Sequence, residues 1–420
     1  MSDPFISERH RGRRLPVLVA LAALVVAAAV VAYIVLSNRT GDVHHGDKVE
    51  FKPEQPKPDL NTDWPFYHRD AAHRGYLPAR LRPPFRRVWL LKGKSLLEFP
   101  PIVIGSILYF LRYNGGVFAV DSHTGHRRWR TKIGSLSAAS PGYADGRLFV
   151  PSLSGKFVCL RARDGKVLWQ RTLPSRTESS PIVSKGVVYF GSEDGTLYAL
   201  FARTGKTKWT YDGGGALKAS PALAGGTLYV GDYGGRMHAV WARTGRERWS
   251  SGTSGRAFGF SSGRFYSTPA VEFGRVYAGN TDSKVYSFSA KSGELAWSKS
   301  TGGYVYSSPA VATPEGGGPT VFVGSYDGNL YALDARTGSV RWTARGGGRI
   351  SGGPTVIGRI VYFADLDSNK TYGVGAATGR RVVTLPRGVY NPVVSDGERI
   401  YLTGYSSIAA LAPKRGTGSP

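Results

Sequence analysis

The side chains best placed to do chemistry recur in register with a series of prolines, at Pro101, Pro141, Pro181, Pro221, Pro269, Pro309, Pro354 and Pro392. Three residues before each proline stand Glu98, Ala138, Glu178, Lys218, Tyr266, Tyr306, Ser351 and Val389, with Tyr390 beside the last. Carboxylates, an ammonium and phenols at equivalent places of a repeat can converge on one small-ligand site. The plainer expectation is a water-filled funnel without a ligand. A second group lies where the step from Trp249 to Pro269 is 20 residues against the 12 usual elsewhere. This insertion over 251–266 carries Arg256, Phe258, Phe260, Arg264 and Phe265 ahead of Tyr266. It reads either as a recognition loop on a rigid scaffold or as a passive Gly/Ser insertion.

Other candidate chemistry is thin. The acidic positions Glu193, Asp194, Asp232, Asp282, Asp327, Asp365 and Asp367 sit in turns. There Asp serves turn geometry, with calcium binding as the alternative. The eight His show no paired ligand spacing, and no metal site is expected. Cys159 is the single cysteine, which excludes an intramolecular disulfide and a CxxC motif. It lies in an apolar strand (KFVCLRA) and reads as a buried small residue.

The elements that must hold these residues repeat. Trp89, Trp129, Trp169, Trp209 and Trp249 are each 40 residues apart, and Trp297 and Trp342 follow after 48 and 45. Each copy holds four short apolar, β-branched runs broken by glycine turns such as Lys185-Gly186, Asp194-Gly195 and Thr204-Gly205. A four-stranded antiparallel unit of that size cannot bury both faces alone. Stacked radially, such units form a propeller, with the tryptophans filling the seams.

The expected fold is therefore all-β: an eight-bladed β-propeller of four-stranded antiparallel blades over residues 61–413. Val383 replaces the last tryptophan, and the eighth copy lacks a fourth strand, which RRVWLLKG around Trp89 supplies to close the ring. A seven-bladed ring with a spare N-terminal strand is the alternative. In a meander blade the first–second and third–fourth turns share one face, and the other connections share the opposite face. The acidic turns fall on the latter. The former is basic, with Arg127, Arg128, Arg163, Lys166, Arg203, Lys206, Arg243, Arg246, Lys291, Arg336, Arg380 and Arg381.

Ahead of the repeats, residues 15–36 form 22 uncharged residues, about 33 Å as a helix and long enough to span a bilayer. Arg9, Arg11, Arg13 and Arg14 precede them and only Arg39 follows closely, which places the tail 1–14 in the cytoplasm and the rest outside. A cleaved signal peptide is the rival, but the run is long and YIVLSN offers no small-residue cleavage site. Residues 37–60 read as a polar, proline-bearing linker and 414–420 as a disordered tail.

The motif A-x-[TDS]-G-x-x-x-W runs from Ala162 to Trp169, Ala202 to Trp209, Ala242 to Trp249, Ala290 to Trp297 and Ala335 to Trp342, with Ser122 replacing the first Ala. In this it resembles the PQQ-like β-propeller repeat family. The opening DWPFYHRDAAHRGYLP, from Asp63, is similar to the lead-in such propellers use. The resemblance implies one of two roles. One is a quinoprotein oxidoreductase holding pyrroloquinoline quinone and calcium at the channel mouth. The other is a non-enzymatic scaffold typified by the outer-membrane assembly protein BamB. The vicinal cysteine pair of the enzymes is absent, no catalytic base stands out and the loops are short, so the reading is a non-catalytic binding module without cofactor.

The net charge of +26 is not a tail effect. Residues 1–14 contribute +2 and residues 38–60 contribute −1, leaving +25 on the rest. Such a field attracts an acidic envelope protein, an anionic cell-surface polymer or an anionic membrane, or else it serves solubility alone. Nucleic acid is disfavoured by the compartment. The oligomeric state is not legible.

Overall fold

Glycine turns and alternating apolar residues make every copy of the repeat a meander. In blade 3 the strands are Ile182–Ser184, Val187–Gly191, Thr196–Phe201 and Thr207–Asp212, paired antiparallel in chain order. Lys185 and Gly186 turn between the first two with φ of 49° and 72°, the left-handed pair that a two-residue hairpin needs. The second strand is buried throughout and the fourth is partly exposed, so the first lies innermost and the fourth at the rim. The computed structural model describes residues 19–28, 41–54, 61–253, 263–390 and 393–414.

Eight such sheets are present. The eighth takes its rim strand, Phe85–Lys92, from the start of the repeat region and pairs it with Ser407–Pro413. The ring thus closes between the two ends of the chain, leaving that edge covered. This excludes the seven-bladed alternative. Blade 7 departs from four strands, because Tyr76–Leu77 adds a short parallel strand along its innermost strand, Thr355–Ile357.

The recurring motif is a seam device. Each indole N–H donates to a backbone carbonyl of the next blade: Trp129 to Ala162 at 2.8 Å, Trp209 to Ala242 at 3.1 Å and Trp297 to Ala335 at 3.1 Å. The motif glycine then lies against the indole face. At Gly338, with φ of 78°, a Cβ would come within 2.7 Å of the Trp297 ring. A register shift precedes the tryptophan in the rim strands, as between Val167 and Trp169, a bulge that re-aims the side chain into the seam. The seam between blades 7 and 8, without a tryptophan, is filled by Leu81, Tyr362, Leu385 and Leu402, with Val383 beside them.

Two non-repeating segments complete the propeller. The lead-in crosses the central channel. Trp64 exchanges backbone bonds with Val103 (2.7 and 3.1 Å), and the carbonyls of Pro65, Ala71, Ala72, Arg74 and Gly75 accept from Tyr143, Leu223, Val271, Val311 and Val356. Six of the eight innermost strands thereby have amides satisfied by one plug. Those edges face the channel and would otherwise present unpaired N–H groups.

The second segment corrects the linker expected over 37–60. Residues 42–52 lie on blades 5 and 6 as a strap, so the propeller unit begins at Asp42 rather than at residue 61. The amide of His45 bonds to Ala296, the carbonyl of Val43 accepts from Ser298, and Lys52 bonds to Phe273. The fully buried Arg275 guanidinium donates to the carbonyls of Gly46, Val49 and Glu50 at 2.6–3.0 Å. Polar composition concealed this, because the docking uses backbone groups and one buried arginine.

Residues 1–41 form a separate unit, in which 19–28 are helical. Among the described residues no helix is long and apolar enough to cross a membrane, and most of the run 15–36 lies outside them. At the other end, the amide of Lys414 still bonds to Pro84, and residues 415–420 lie outside the described set.

Candidate functional site

The connections entering the innermost strands bring the proline-registered residues to one place. Glu98, Glu178, Lys218, Tyr266, Tyr306 and Tyr390 line a single cavity of about 70 Å³ at the channel mouth, together with Ser351 and, as its floor, Tyr67 of the plug. Beneath them runs a belt of hydroxyls on the residues preceding the prolines. The amides of Ser140, Ser180, Ser220 and Thr268 each donate to the hydroxyl of the next blade, on Ser180, Ser220, Thr268 and Ser308, at 2.9–3.2 Å. This belt fixes the height of the ring residues of blades 2 to 6.

One side of the mouth is ionic. Lys218 Nζ lies 3.0 Å from Glu178 and 3.3 Å from Glu193, which also pairs with Arg176 at 2.8 Å. Burial, then the neighbouring Glu178 carboxylate, raises the Glu98 carboxyl above the usual carboxylate range, with Lys218 opposing. The other side is aromatic. Tyr233, Tyr266, Tyr306 and Tyr326 form a continuous run of rings with centroids 6.3, 5.5 and 4.9 Å apart, and Tyr304 caps it. Burial raises Tyr266 well above an ordinary phenol, helped by Glu178 and Glu98, so the ring stays neutral and able to donate.

Tyr233 and Tyr326 were missed, yet the repeat held a signal. They occupy the position equivalent to Glu193 in the second–third turn, as do Tyr113 and Tyr405. The amide there bonds to the connection of the same blade, as Glu193 does to Arg176, Tyr233 to Ala216 and Tyr326 to Tyr304. That bond stands the side chain beside the mouth.

The expected partner loop is divided. Arg256, Phe258 and Phe260 lie outside the described residues. Arg264 is exposed, 5.4 Å from the Tyr233 ring centroid. Phe265 is a correction, because it is fully buried against Tyr286 and Phe288. It precedes a ring position, and at that register Leu97, Leu217, Val305 and Ile350 are equally buried. Gly231 of the preceding blade makes the room, since a Cβ there would fall 2.2 Å from Phe265.

The acidic turns are occupied with turn chemistry. Asp232 accepts from the Arg236 amide at 2.7 Å and contacts His238, Asp327 accepts from Gly302 and the Tyr331 hydroxyl, and Asp367 pairs with Arg349. No group of three His, Cys, Asp or Glu among the described residues is arranged to hold a metal. Burial pushes the Cys159 thiol up to about 12, which leaves it inert. The twelve basic residues expected on the opposite face are all exposed.

The family model described as "Outer membrane protein assembly factor BamB" matches residues 113–312 and 216–419. An outer membrane protein assembly factor BamB of Burkholderia pseudomallei is 40% identical over 65 residues, 15% of this chain and 17% of that protein. The aligned part is thus under a fifth of the relative's length. Among solved structures, BamB from Moraxella catarrhalis superposes with a TM-score of 0.63 at 19% identity, over 80% of this chain and all of that one. The quinohemoprotein alcohol dehydrogenase of Comamonas testosteroni superposes with a TM-score of 0.69 at 16% identity, over 91% of this chain and 84% of that one. At those identities the likeness is one of fold, common to the scaffold and the enzyme. The family model spans most of the repeats, and the chain belongs to the PQQ-like repeat propellers of the BamB family.

Proposed function

We propose that this protein is a non-catalytic binding scaffold at the cell envelope, held by the uncharged run 15–36 and presenting its channel-mouth face to a partner protein. The observation that carries this reading is the tyrosine run over blades 4 to 6, flanked by the Lys218 ion network and floored by the plug. Tyr304, 52% exposed, continues it outward, and Tyr405, 61% exposed, stands on the same face in blade 8. Tyrosines give large, rigid, amphipathic contact area at small entropic cost, and a polar rim around them adds orientation. The name of the family model and of the Burkholderia relative, an outer membrane protein assembly factor, agrees with a protein partner. The exposed basic face would draw an acidic partner, or an anionic envelope polymer, toward the propeller.

A quinone enzyme is the competing role within the fold. The residues at the mouth do not fit pyrroloquinoline quinone. The space of about 70 Å³ is well below the roughly 300 Å³ of a small cofactor site, and Tyr67 blocks its floor.

Position-specific crosslinking tests the scaffold reading. A photoreactive residue at Tyr304 or Tyr405 of the full-length protein in its own membranes should give one discrete protein adduct. The same residue at Phe201, exposed on the opposite face, should not, and Tyr306→Ser should diminish the adduct several-fold. Dye reduction by purified protein supplied with the quinone and calcium would overturn the scaffold.

A further inference from the structure

A second candidate site lies away from the mouth, in the seam where the ring closes. Between the rim strand of blade 8 and blade 1 is a cleft of about 380 Å³ lined by Lys92, Lys94, Arg112, Arg127 and Arg130, and by no carboxylate. Asp121 of the same blade is engaged with Arg128 instead, at 2.6 Å. Five like charges in one cleft repel one another, and among the described residues no carboxylate lines the cleft to offset them.

Two of the five are departures from the repeat. Where blade 1 has Arg112, blades 2 to 7 place the small polar residues Ser152, Ser192, Asp232, Asn280, Ser325 and Asp365, and blade 8 has Gly404. Those cap the following turn, as Asp232 does for the Arg236 amide. Where blade 1 has Arg130, directly after its tryptophan, blades 2 to 7 place Gln170, Thr210, Ser250, Ser298, Thr343 and Thr384, and blade 8 has Leu90. Turn and strand are therefore built well without either cation. Both departures converge on one ring, with the guanidiniums of Arg112 and Arg130 lying 5.6 and 5.5 Å from the Phe118 centroid.

Arg112 is held in place. It is 5% exposed, and its Nη1 donates to the carbonyls of Ser95 and Ser406 at 2.8 and 3.0 Å. Gly93 clears the space, since a Cβ there would lie 2.1 Å from the guanidinium. Burial draws its pKa down, with no carboxylate acting against that. A desolvated cation costs free energy unless an anion compensates it.

The geometry points to a binding site for a phosphate-bearing ligand, with the phosphate oxygens on the arginine and lysine donors and the less polar part along Phe118 and Leu91. Guanidinium forks match phosphate oxygens, and a cleft of five cations suits a multiply charged group better than one carboxylate. The source is a phospholipid headgroup or a soluble phosphate compound, which share this chemistry. The site stands independently of the mouth and of any partner bound there.

The test is calorimetric titration of the full-length protein with pyrophosphate. Binding should weaken as salt rises. It should fall at least tenfold in the pair Arg112→Ser and Arg130→Thr, which restores the pattern of the other blades and so should fold. The control pair Arg203→Ser and Arg243→Ser removes the same charge from the exposed opposite face and should leave binding unchanged. Mixed micelles of phosphatidylglycerol that displace pyrophosphate, where phosphatidylcholine micelles do not, assign the lipid headgroup. Retained pyrophosphate binding without displacement assigns a soluble phosphate. Equal losses in the cleft and control pairs, or wild-type protein that binds neither pyrophosphate nor phosphatidylglycerol, would overturn the site.

Discussion

The seam between blades 5 and 6 and the seam between blades 8 and 1 are made by the same device and finished in opposite ways. In each an indole N–H reaches a carbonyl of the next blade, Trp297 to Ala335 at 3.1 Å and Trp89 to Ser122 at 2.9 Å. In each a glycine of the next blade lies on the ring, Gly338 on Trp297 and Gly125 on Trp89. The strap then covers the first seam, with His44 bridging to Trp297 itself, and the indole is fully buried. The second is left half-open beside the cation-lined cleft. Repetition builds the ring, and the non-repeating segments decide which seams are sealed and which remain accessible.

The largest effect should come from removing the covered indole. Trp297→Ala leaves a dry cavity in a seam closed on every side and should cost about 3–5 kcal/mol. Trp89→Ala removes a partly buried ring and should cost about 2 kcal/mol. Urea denaturation of the two variants measures the difference. Equal midpoints would mean that the strap adds nothing to the seam it covers.

Acid offers a smaller test, because neither indole seam relies on a group that titrates near neutrality, whereas the plug does. His68 is fully buried and stacked on Tyr67, with centroids 4.7 Å apart. Burial, then the neighbouring His73, lowers its pKa to about 3 against an ordinary 6.5. The folded-state value lies below the unfolded one, so the neutral ring's contribution is complete above about pH 6.5. It is lost progressively as the pH falls toward 3, a few kcal/mol in all. Asp70 nearby moderates this, and His73, also lowered by burial, adds to it. The Tm should therefore drop between pH 6.5 and 4. His68→Asn, which tolerates the positive φ of 53° at that residue, should flatten the slope. Parallel pH profiles for the two proteins would remove His68 from the account.

What could be read in advance follows the same division. The proline and indole periods together give blade count, seam positions and the closing strand, because one side chain of each kind recurs where the geometry repeats. The mouth residues were legible for the same reason, as a fixed offset from the prolines becomes a fixed height on the ring. The plug was not, since it is held by the carbonyls of Pro65, Ala71, Ala72, Arg74 and Gly75, and a carbonyl carries no residue-type signature. Phe265 misled because an aromatic beside a glycine-rich insertion resembles loop hardware. Comparison with Leu97, Leu217 and Val305 at the same register would have placed it in the core.

The strap offers the finest test, because its two arginine contacts differ chiefly in burial. Arg275 is fully enclosed and serves three strap carbonyls. Arg336 meets Asp47 at 3.0 Å with both side chains more than half exposed. Arg275→Leu strands those carbonyls and should weaken strap closure by about 2 kcal/mol. Amide exchange at His45 and Lys52, whose N–H groups bond to Ala296 and Phe273, should then speed up roughly thirtyfold, while the other seams keep their protection. Asp47→Asn breaks only a screened surface pair and should shift the same amides by less than about 0.5 kcal/mol. If Asp47→Asn loosens the strap as much as Arg275→Leu, surface charge and not the buried guanidinium holds it down. Burial of Trp297 would then vary with salt, and the sealed seam would differ from the open one only at low ionic strength.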